Sequence, residues 1–237
     1  MNAMEEEVPL SGGRVTSGVV RIGNTVRRPL VPNSTFVHAL LRHLESVGYS
    51  HAPRLLGVDP QGREILTFVP GTVPTDLGYF SESQVREAAR IIAGLHDATA
   101  GTPLAGDQEV VCHGDLSPCN FVLRFDVPVC LIDFDTAFRG PRHLDVGYAA
   151  WTWLDIGNSD QLPFDTGQRL AAFLDAYGSR APSDPINAIL EAQAWLAQRT
   201  CEPNERPVFA NGVRQWSTGC SGWVRENRRA LEAGLRG

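Results

Sequence analysis

The chain contains no lysine, so all 21 of its basic residues are arginines. Every fixed positive side-chain charge therefore comes from a guanidinium group, which is planar and stays protonated in proteins. The sequence also has no run of about 18 apolar residues, the length that a membrane-spanning helix needs. Its first ten residues, MNAMEEEVPL, place acids where a secretory signal needs basic residues and an apolar core. These absences predict a soluble, cytoplasmic protein with no membrane partner.

The cysteines and the net charge exclude further classes of protein. The five cysteines show no C-x-x-C spacing and are odd in number, which suits reduced cytosolic thiols better than a disulfide framework or a zinc site. The formal net charge of −6 and the isoelectric point near 5.5 do not supply the basic face of a nucleic-acid binder. We therefore expect no nucleic-acid partner, and a neutral or cationic small molecule fits better.

Local patterns predict a β-rich segment followed by mostly helical sequence. With 237 residues, of which 43% are hydrophobic, the chain can form one large domain or two small ones. Apolar residues flank turn signals at Gly23-Asn24 and at residues 59–62, and each pattern is typical of a β-hairpin. One helix is predicted from a Ser34 cap up to Gly48, and another follows a Ser81 cap. Three further helices are predicted around residues 167–177, 184–199 and 214–235.

The most informative stretch runs from His113 to Asp135. It reads HGDLSPCNFVL, then a short linker, then VCLIDFD, and its apolar runs predict two short buried strands that bracket a loop. In phosphoryl transfer an Asp in a loop orients or deprotonates a hydroxyl, while an Asn and a second Asp hold a metal on the nucleotide phosphates. Asp115, Asn120 and Asp133 would take these parts. In the alternative interpretation the two acids only cap a turn and end a strand.

This stretch resembles the aminoglycoside phosphotransferase and choline kinase-like enzymes, relatives of protein kinases in which HGD replaces HRD. The similarity covers most of residues 8–178, because other segments fall in the order that this family shows: VVRIGNTVRRP, VHALLRHLESVGY, APRLLGV, ILTFVPG, IIAGLHDAT and RHLDVGYA. It implies an α+β, two-lobed protein kinase-like fold, with a small β-rich nucleotide-binding lobe at residues 1–72 and a mainly helical catalytic and substrate-binding lobe at residues 73–237. The implied cofactors are ATP or GTP and Mg²⁺, and the implied acceptor is a hydroxyl of a small molecule.

The resemblance also implies a role for each residue of the motif. Asp115 would be the catalytic base, and Asn120 and Asp133 would hold Mg²⁺. His113 would support the loop from beneath, and Asp145 would brace it.

Two further features receive less specific expectations. Asp135 would orient the loop or contact a second metal. Gly12 and Gly13 would let backbone N–H groups approach phosphate oxygens without a Cβ in the way, although a two-glycine turn is also common in hairpins.

The family's phosphate-binding lysine is missing. Kinases usually carry this lysine on the third strand and pair it with a helix glutamate. Here the strand offers Arg27 and Arg28, which alternation sends to opposite faces, and the alignment of TVRRP with the family's strand favours Arg28. The helix glutamate would fall near Val37 or His38, where no acid stands. Arg28 would therefore act unpaired, another acid such as Glu45 would reach it, or the nucleotide would bind weakly or not at all.

The acceptor is less constrained by the sequence than the phosphate donor. Ammonium groups are held by carboxylates or aromatic faces. The later chain supplies both: Trp151, Trp153, Asp155, Asp160, Asp165, Trp195, Trp216 and Trp223. We predict a phosphotransferase acting on an aminoglycoside-like compound or another amino alcohol or sugar. The alternative is a catalytically weak or inactive kinase-like protein that binds a nucleotide or ligand, and no pattern indicates an oligomeric state.

Overall fold

A computed structural model describes residues 6–10, 18–198 and 207–237, with the side chains of the last range described from residue 211 onward. The predicted phosphate-binding glycines Gly12 and Gly13 lie outside the described residues.

A five-stranded antiparallel sheet forms the N-terminal part of the described chain. Its strands are β1 (Val8–Pro9), β2 (Val20–Ile22), β3 (Thr25–Pro29), β4 (Leu55–Val58) and β5 (Arg63–Thr67), in the spatial order β1-β2-β3-β5-β4. Both predicted hairpins are confirmed, with the first turn at Gly23-Asn24. Since β3 pairs with β5, Arg28 lies directly opposite Glu64, and the two side chains share one face of the sheet.

Helix α1 (Ser34–Ser46) packs one apolar side against the core, as its spacing predicts. Its N-cap residue is Asn33 and not the predicted Ser34. The Ser34 hydroxyl accepts a hydrogen bond from the Val31 N–H at 2.8 Å, so it closes the preceding turn. The Asn33 amide donates to the backbone oxygens of Asp135 and Ala137, at 3.0 and 2.9 Å. The start of α1 is therefore tied to the segment that carries the second predicted metal ligand.

The remainder of the chain is mainly helical, with two small antiparallel ribbons. The elements are α2 (Glu82–Thr99), β6 (Val110–Cys112), β7 (Phe121–Arg124), β8 (Val127–Leu131), β9 (Phe138–Gly140), α3 (Arg142–Trp153), α4 (Pro163–Tyr177), α5 (Pro185–Gln198), α6 (Pro207–Glu226) and α7 (Arg228–Arg236). Strand β6 pairs with β9, and β7 pairs with β8. The chain enters this part through Thr72, whose backbone exchanges two hydrogen bonds with Leu123 of β7.

The helices agree with the sequence predictions at one point and differ from them at two. The Ser81 cap of α2 is confirmed, and Gln84 completes a capping box there. Helix α3 was not predicted, because it is buried on nearly every side and so shows no amphipathic period. The single helix predicted at 214–235 is instead two helices separated at Asn227, whose side chain donates to the Trp223 carbonyl at 2.9 Å.

Close packing fixes the position of α3 against α5. A Cβ on Gly147 would lie 2.2 Å from the backbone oxygen of Ala188 in α5, so only glycine permits this approach. Trp151 and Trp153, on the same helix, are fully buried. The predicted α+β class is confirmed, with a sheet-rich N-terminal part and a helical C-terminal part. Among the helices of the described ranges, none has the length and apolarity to cross a membrane.

Candidate active site

The loop that follows β6 carries the predicted base. Gly114 has a φ of +80°, and a Cβ there would lie 2.5 Å from the backbone oxygen of Thr136. The glycine therefore allows the loop to approach the segment after β8. Thr136 reinforces this approach, since its hydroxyl donates to the His113 backbone oxygen at 2.9 Å.

Asp115 is held from two sides. Its Oδ1 accepts a hydrogen bond from the Tyr148 hydroxyl at 2.8 Å, and its backbone oxygen accepts one from the Asn120 amide at 2.9 Å. Tyr148 is buried on α3 and was missed by the sequence analysis. Tyr148 does have one signal in the sequence. It follows Asp145 by about one helical turn, which places both side chains on the same face of a helix.

His113 is fully buried beneath the loop. Its Nδ1 accepts from the Asp115 N–H at 3.3 Å, and its Nε2 lies 3.1 Å from the Ile132 backbone oxygen. A carbonyl only accepts, so these contacts assign the ring proton to Nε2. The ring also packs on Phe134, with the centroids 4.6 Å apart. The imidazole thus joins the base loop to the strand that ends at the second acid.

Asp145 binds the loop backbone directly. The residue is 1% exposed, and its two carboxylate oxygens accept from the N–H groups of His113 at 2.7 Å and Gly114 at 2.9 Å. His96, buried on α2, lies with its Nε2 3.0 Å from Asp145 Oδ2. Helix α3 therefore fixes the backbone of His113 and Gly114 through Asp145, and the side chain of Asp115 through Tyr148.

A buried hydrogen-bond relay stands behind Asp145. Arg142 Nη1 donates to the Tyr177 oxygen at 3.3 Å, and the Tyr177 hydroxyl lies 2.7 Å from His96 Nδ1. Burial raises the pKa of Tyr177 to about 12, which keeps the hydroxyl a donor. The proton of His96 is then on Nε2 and is donated to Asp145.

The same region holds a group of possible metal ligands, His96, Cys112 and Asp145, whose ligand atoms lie within 4.8 Å of one another. Both oxygens of Asp145 already accept hydrogen bonds, and burial raises the pKa of the Cys112 thiol far above its usual range. In the described structure the Asp145 carboxylate is therefore occupied by hydrogen bonds from His96, His113 and Gly114, and it acts as a hydrogen-bonded part of the core.

Asp133 and Asp135 follow β8. Asp133 has left-handed backbone angles, φ 65° and ψ 62°, which are uncommon for a non-glycine residue and turn its side chain out of the strand path. That side chain is 42% exposed, whereas Asp135 is more buried. Burial raises the pKa of Asp135 to about 6, with Arg28 opposing the shift and the charges of Asp133 and Glu64 adding to it.

Arg28 is the basic residue that reaches these acids. Its Nη1 lies 3.2 Å from Asp133 Oδ1, its Nη2 contacts Asp135 Oδ2, and its Nε lies 3.1 Å from Glu64 Oε1. Burial lowers the pKa of Arg28, but the charges of the three carboxylates outweigh it and raise the pKa above its ordinary value. We call these four residues the Arg28 cluster. Arg27 lies on the opposite face, 3.9 Å from Asp59.

The pairing of Arg28 corrects one expectation. Glu45, one of the predicted partners of Arg28, instead pairs with Arg54 at the surface, at 3.4 Å. Glu64 of β5 is the acid beside Arg28. No sequence pattern indicated it, because its position opposite Arg28 depends on the pairing of β3 with β5, which are not adjacent in sequence.

Several of the residues suggested for a cationic acceptor are not available. Trp151 and Trp153 are fully buried, so neither offers a free ring face. Trp216 is partly exposed, but it stacks on Trp151 with a centroid separation of 4.3 Å. Asp160 and Asp165, in contrast, are exposed to solvent beyond the end of α3.

The side chains around the base form a hard-oxygen donor set. The Asn120 Nδ2 donates to the loop backbone, which turns its carbonyl oxygen away from that contact. Ile132, which precedes Asp133, donates its N–H to the Asn120 backbone oxygen at 2.9 Å, so Asn120, just before β7, and Asp133, just after β8, lie at the same end of this ribbon. An amide oxygen and a part-exposed carboxylate match the preference of Mg²⁺ for oxygen ligands.

Comparison with known proteins gives concordant results. The model of the phosphotransferase enzyme family matches residues 102–184. A trifolitoxin immunity protein from Rhizobium leguminosarum bv. trifolii is 34% identical over 267 aligned positions, covering 98% of this chain and 100% of that protein.

Solved structures share the fold at low sequence identity. A choline/ethanolamine kinase family protein from Mesorhizobium loti is 15% identical, with a TM-score of 0.60 and coverage of 98% of this chain and 93% of that one. The ADP-bound aminoglycoside phosphotransferase APH(2'')-Ib is 14% identical, with a TM-score of 0.58 and coverage of 93% and 95%. The solved structures show the kinase-like fold, and the family match together with the relative that is 34% identical over the full chain leads to one conclusion: the chain belongs to the phosphotransferase enzyme family.

Proposed function

We propose that this protein transfers the γ-phosphoryl group of ATP or GTP to a hydroxyl of a small molecule, with Asp115 as the catalytic base. The observation that carries the proposal is the joint support of one loop: Tyr148 holds the Asp115 carboxylate, and Asn120 is tied to the Asp115 backbone. We place the nucleotide-binding lobe at residues 1–72 and the catalytic and substrate-binding lobe at residues 73–237.

In this proposal the chain's own groups position the reactants. The Asp115 carboxylate accepts the proton of the acceptor hydroxyl, or orients that hydroxyl for in-line attack. The Tyr148 hydroxyl bonds one carboxylate oxygen and leaves the other for the acceptor. Asp145 and His113 keep the loop backbone fixed while the proton moves. A base held in this way contributes about 10²–10⁴-fold to the rate.

The nucleotide and metal would be held by residues of the N-terminal sheet and of the segments next to β7 and β8. Asn120 and Asp133 would hold Mg²⁺, Arg28 would contact phosphate oxygens, and Asp135 would orient this group or assist with a second metal. When bound, Mg²⁺ neutralises charge on the phosphates. The glycines Gly12 and Gly13 remain a prediction for the phosphate-binding turn.

We assign the acceptor to small alcohols that carry an amine, such as amino sugars or amino alcohols. The net charge of −6 favours a cationic partner over an anionic one. The fold neighbours are kinases of choline or ethanolamine and of aminoglycosides, which are amine-bearing alcohols.

A second candidate function rests on two specific observations. The chain has no lysine, and a relative 34% identical over its full length is an immunity protein against trifolitoxin. A kinase-like protein could protect a cell by binding a toxic compound without modifying it. This binding protein is our alternative to the phosphotransferase.

A two-stage experiment separates the two functions. The first stage measures the melting temperature with Mg-ATP and with Mg-GTP, where a nucleotide at about 100 times its Kd stabilises the fold by about 2.7 kcal/mol. The second stage incubates the protein with the preferred nucleotide and amino sugars, choline and aminopropanol, and detects phosphorylated product by mass spectrometry. We expect Asp133→Asn to abolish the Mg-dependent melting shift.

The base assignment needs a matched variant. We expect Asp115→Asn to keep the nucleotide-induced shift and lose about 10²–10⁴-fold in turnover. Asp107→Asn, at an exposed position, makes the same chemical change and should leave both measurements at the parent value. Binding of a compound without product would favour the immunity-type binding protein, and an Asp115→Asn variant with parent turnover would refute the base.

A further inference from the structure

The Arg28 guanidinium uses each of its three nitrogens on a different acid. The terminal nitrogens Nη1 and Nη2 face Asp133 and Asp135, beside the proposed metal and phosphate positions. The Nε atom, which lies nearer the backbone, faces Glu64 instead. The Arg28 side chain thus has one inner contact within the sheet, from Nε to Glu64. It has two outer contacts toward the site, from Nη1 and Nη2 to Asp133 and Asp135.

Glu64 links Arg28 to helix α1. It is 2% exposed, and its Oε2 lies 2.7 Å from Nε2 of His38 on α1. Its other oxygen, Oε1, lies 3.1 Å from Arg28 Nε, within ion-pair distance but without the alignment of a hydrogen bond. Removal of either partner would leave the negative charge of Glu64 buried and poorly compensated. The two contacts together therefore fix the orientation of the Glu64 side chain.

In this arrangement three residues, Arg28, Glu64 and His38, take the place of a lysine–glutamate pair. A lysine amine is a single point charge, so one nitrogen must serve both the helix glutamate and the phosphates. Arginine can separate these functions, since its five N–H donors are spread over three nitrogens, with Nε at the side of the fork and both Nη groups at its far end. The helix supplies His38 where an acid is expected, and the strand supplies Glu64 as the acid.

We propose that Glu64 and His38 are positioning residues for the nucleotide: Glu64 anchors Arg28 through Nε, and His38 fixes Glu64 from α1. The outer nitrogens of Arg28 are then able to exchange Asp133 and Asp135 for phosphate oxygens without movement of the inner end. This inference rests on the proposed function, because it requires that a nucleotide binds beside Arg28.

The test measures the Mg-ATP dissociation constant by titration calorimetry for the parent, Glu64→Gln, His38→Ala and His38→Gln. We expect Glu64→Gln to weaken Mg-ATP binding by roughly 10-fold or more, since it removes a charged partner from Arg28. His38→Ala should weaken it by a smaller factor. His38→Gln should restore the parent value, because the glutamine amide can donate from nearly the same position as the imidazole Nε2.

Controls distinguish positioning from general loss of structure. Glu45→Gln makes the same charge change on a surface ion pair and should bind Mg-ATP like the parent. The melting temperature of each variant without nucleotide identifies any variant that fails to fold. If Glu64→Gln does not fold, the His38→Ala and His38→Gln pair decides the question.

A double-mutant cycle tests directly whether Glu64 acts through Arg28. If Glu64 acts through Arg28, the Glu64→Gln change should have little further effect on Mg-ATP affinity in an Arg28→Gln background. Parent-like or tighter Mg-ATP binding by Glu64→Gln or His38→Ala would overturn the inference and leave the proposed function intact. A parent protein that binds neither nucleotide would overturn the proposed function itself, and the inference with it.

Discussion

Replacing Asp145 with asparagine should destabilise the fold and disable the catalytic loop together. The carboxylate is buried and accepts three hydrogen bonds, of which Oδ2 takes those from His113 N–H and His96 while Oδ1 takes that from Gly114 N–H. The best orientation of an asparagine keeps its oxygen at the Oδ2 position. Its NH₂ group then faces the Gly114 N–H, so two donors meet in a buried site.

The cost follows from that geometry. One hydrogen bond to a charged acceptor is lost and two buried donors, the Gly114 N–H and the asparagine NH₂, are left unsatisfied, which together cost about 2–6 kcal/mol of the free energy of unfolding. For a chain of 237 residues this corresponds to a melting temperature lowered by on the order of 10 °C. Asp145→Asn should also reduce turnover, because the displaced Gly114 backbone carries Asp115 with it.

Thermal and urea unfolding followed by tryptophan fluorescence would measure this loss. The exposed control Asp107→Asn should unfold within about 0.5 kcal/mol of the parent. An Asp145→Asn variant that melts with the parent would show that the three hydrogen bonds do not hold the loop.

Three further predictions concern the surroundings of the loop. Tyr148→Phe removes the hydroxyl from Asp115, so kcat should fall about 10-fold while the KM for the nucleotide stays unchanged in steady-state assays. Tyr177 has a folded-state pKa raised from 10.0 to about 12, so its contribution to stability is complete below about pH 10 and is lost as the pH rises toward 12. In melting experiments across that range, Tyr177→Phe should therefore show a shallower decline than the parent. Gly147→Ala should destabilise the fold by more than about 1–3 kcal/mol in urea titrations, because the new methyl group would overlap the backbone of α5.

Each of these predictions has a decisive contrary result. A Tyr148→Phe variant that loses nucleotide affinity and kcat equally would indicate a structural role for the hydroxyl. Identical alkaline slopes for the parent and Tyr177→Phe would show that Tyr177 ionises normally in the fold. Gly219→Ala is the control for Gly147→Ala, because no atom lies within 4 Å of a Cβ at that helical position and alanine favours helix there.

Local signals predicted the parts of the structure that depend on local sequence. The first hairpin follows from apolar residues around Gly23-Asn24, and α2 follows from the Ser81 cap and its apolar period. Helix α3 could not be found in this way, because a helix buried on nearly every side has no polar face to set its period. The α+β fold itself followed from the order of the family segments.

The site depends on contacts that no local pattern encodes. Arg28 and Asp133 are separated by 105 positions in sequence, and Tyr148 and Asp115 by 33. Spacing indicated which residue types could support phosphoryl transfer, but not that a strand acid would accompany Arg28 in place of a helix acid. The position of the strand acid Glu64 beside Arg28 became visible only from the cross-strand pairing of β3 with β5.

The guanidinium of Arg28 has a consequence for chemical labelling. Reagents that acylate a lysine amine beside bound nucleotide phosphates would find no such amine in this chain, which has no lysine at any position. If a nucleotide binds as proposed, surveys of nucleotide-binding proteins that depend on amine acylation would therefore overlook this protein. A dicarbonyl reagent directed at guanidinium groups meets the opposite difficulty at this position, because Arg28 is buried and already pairs with three acids.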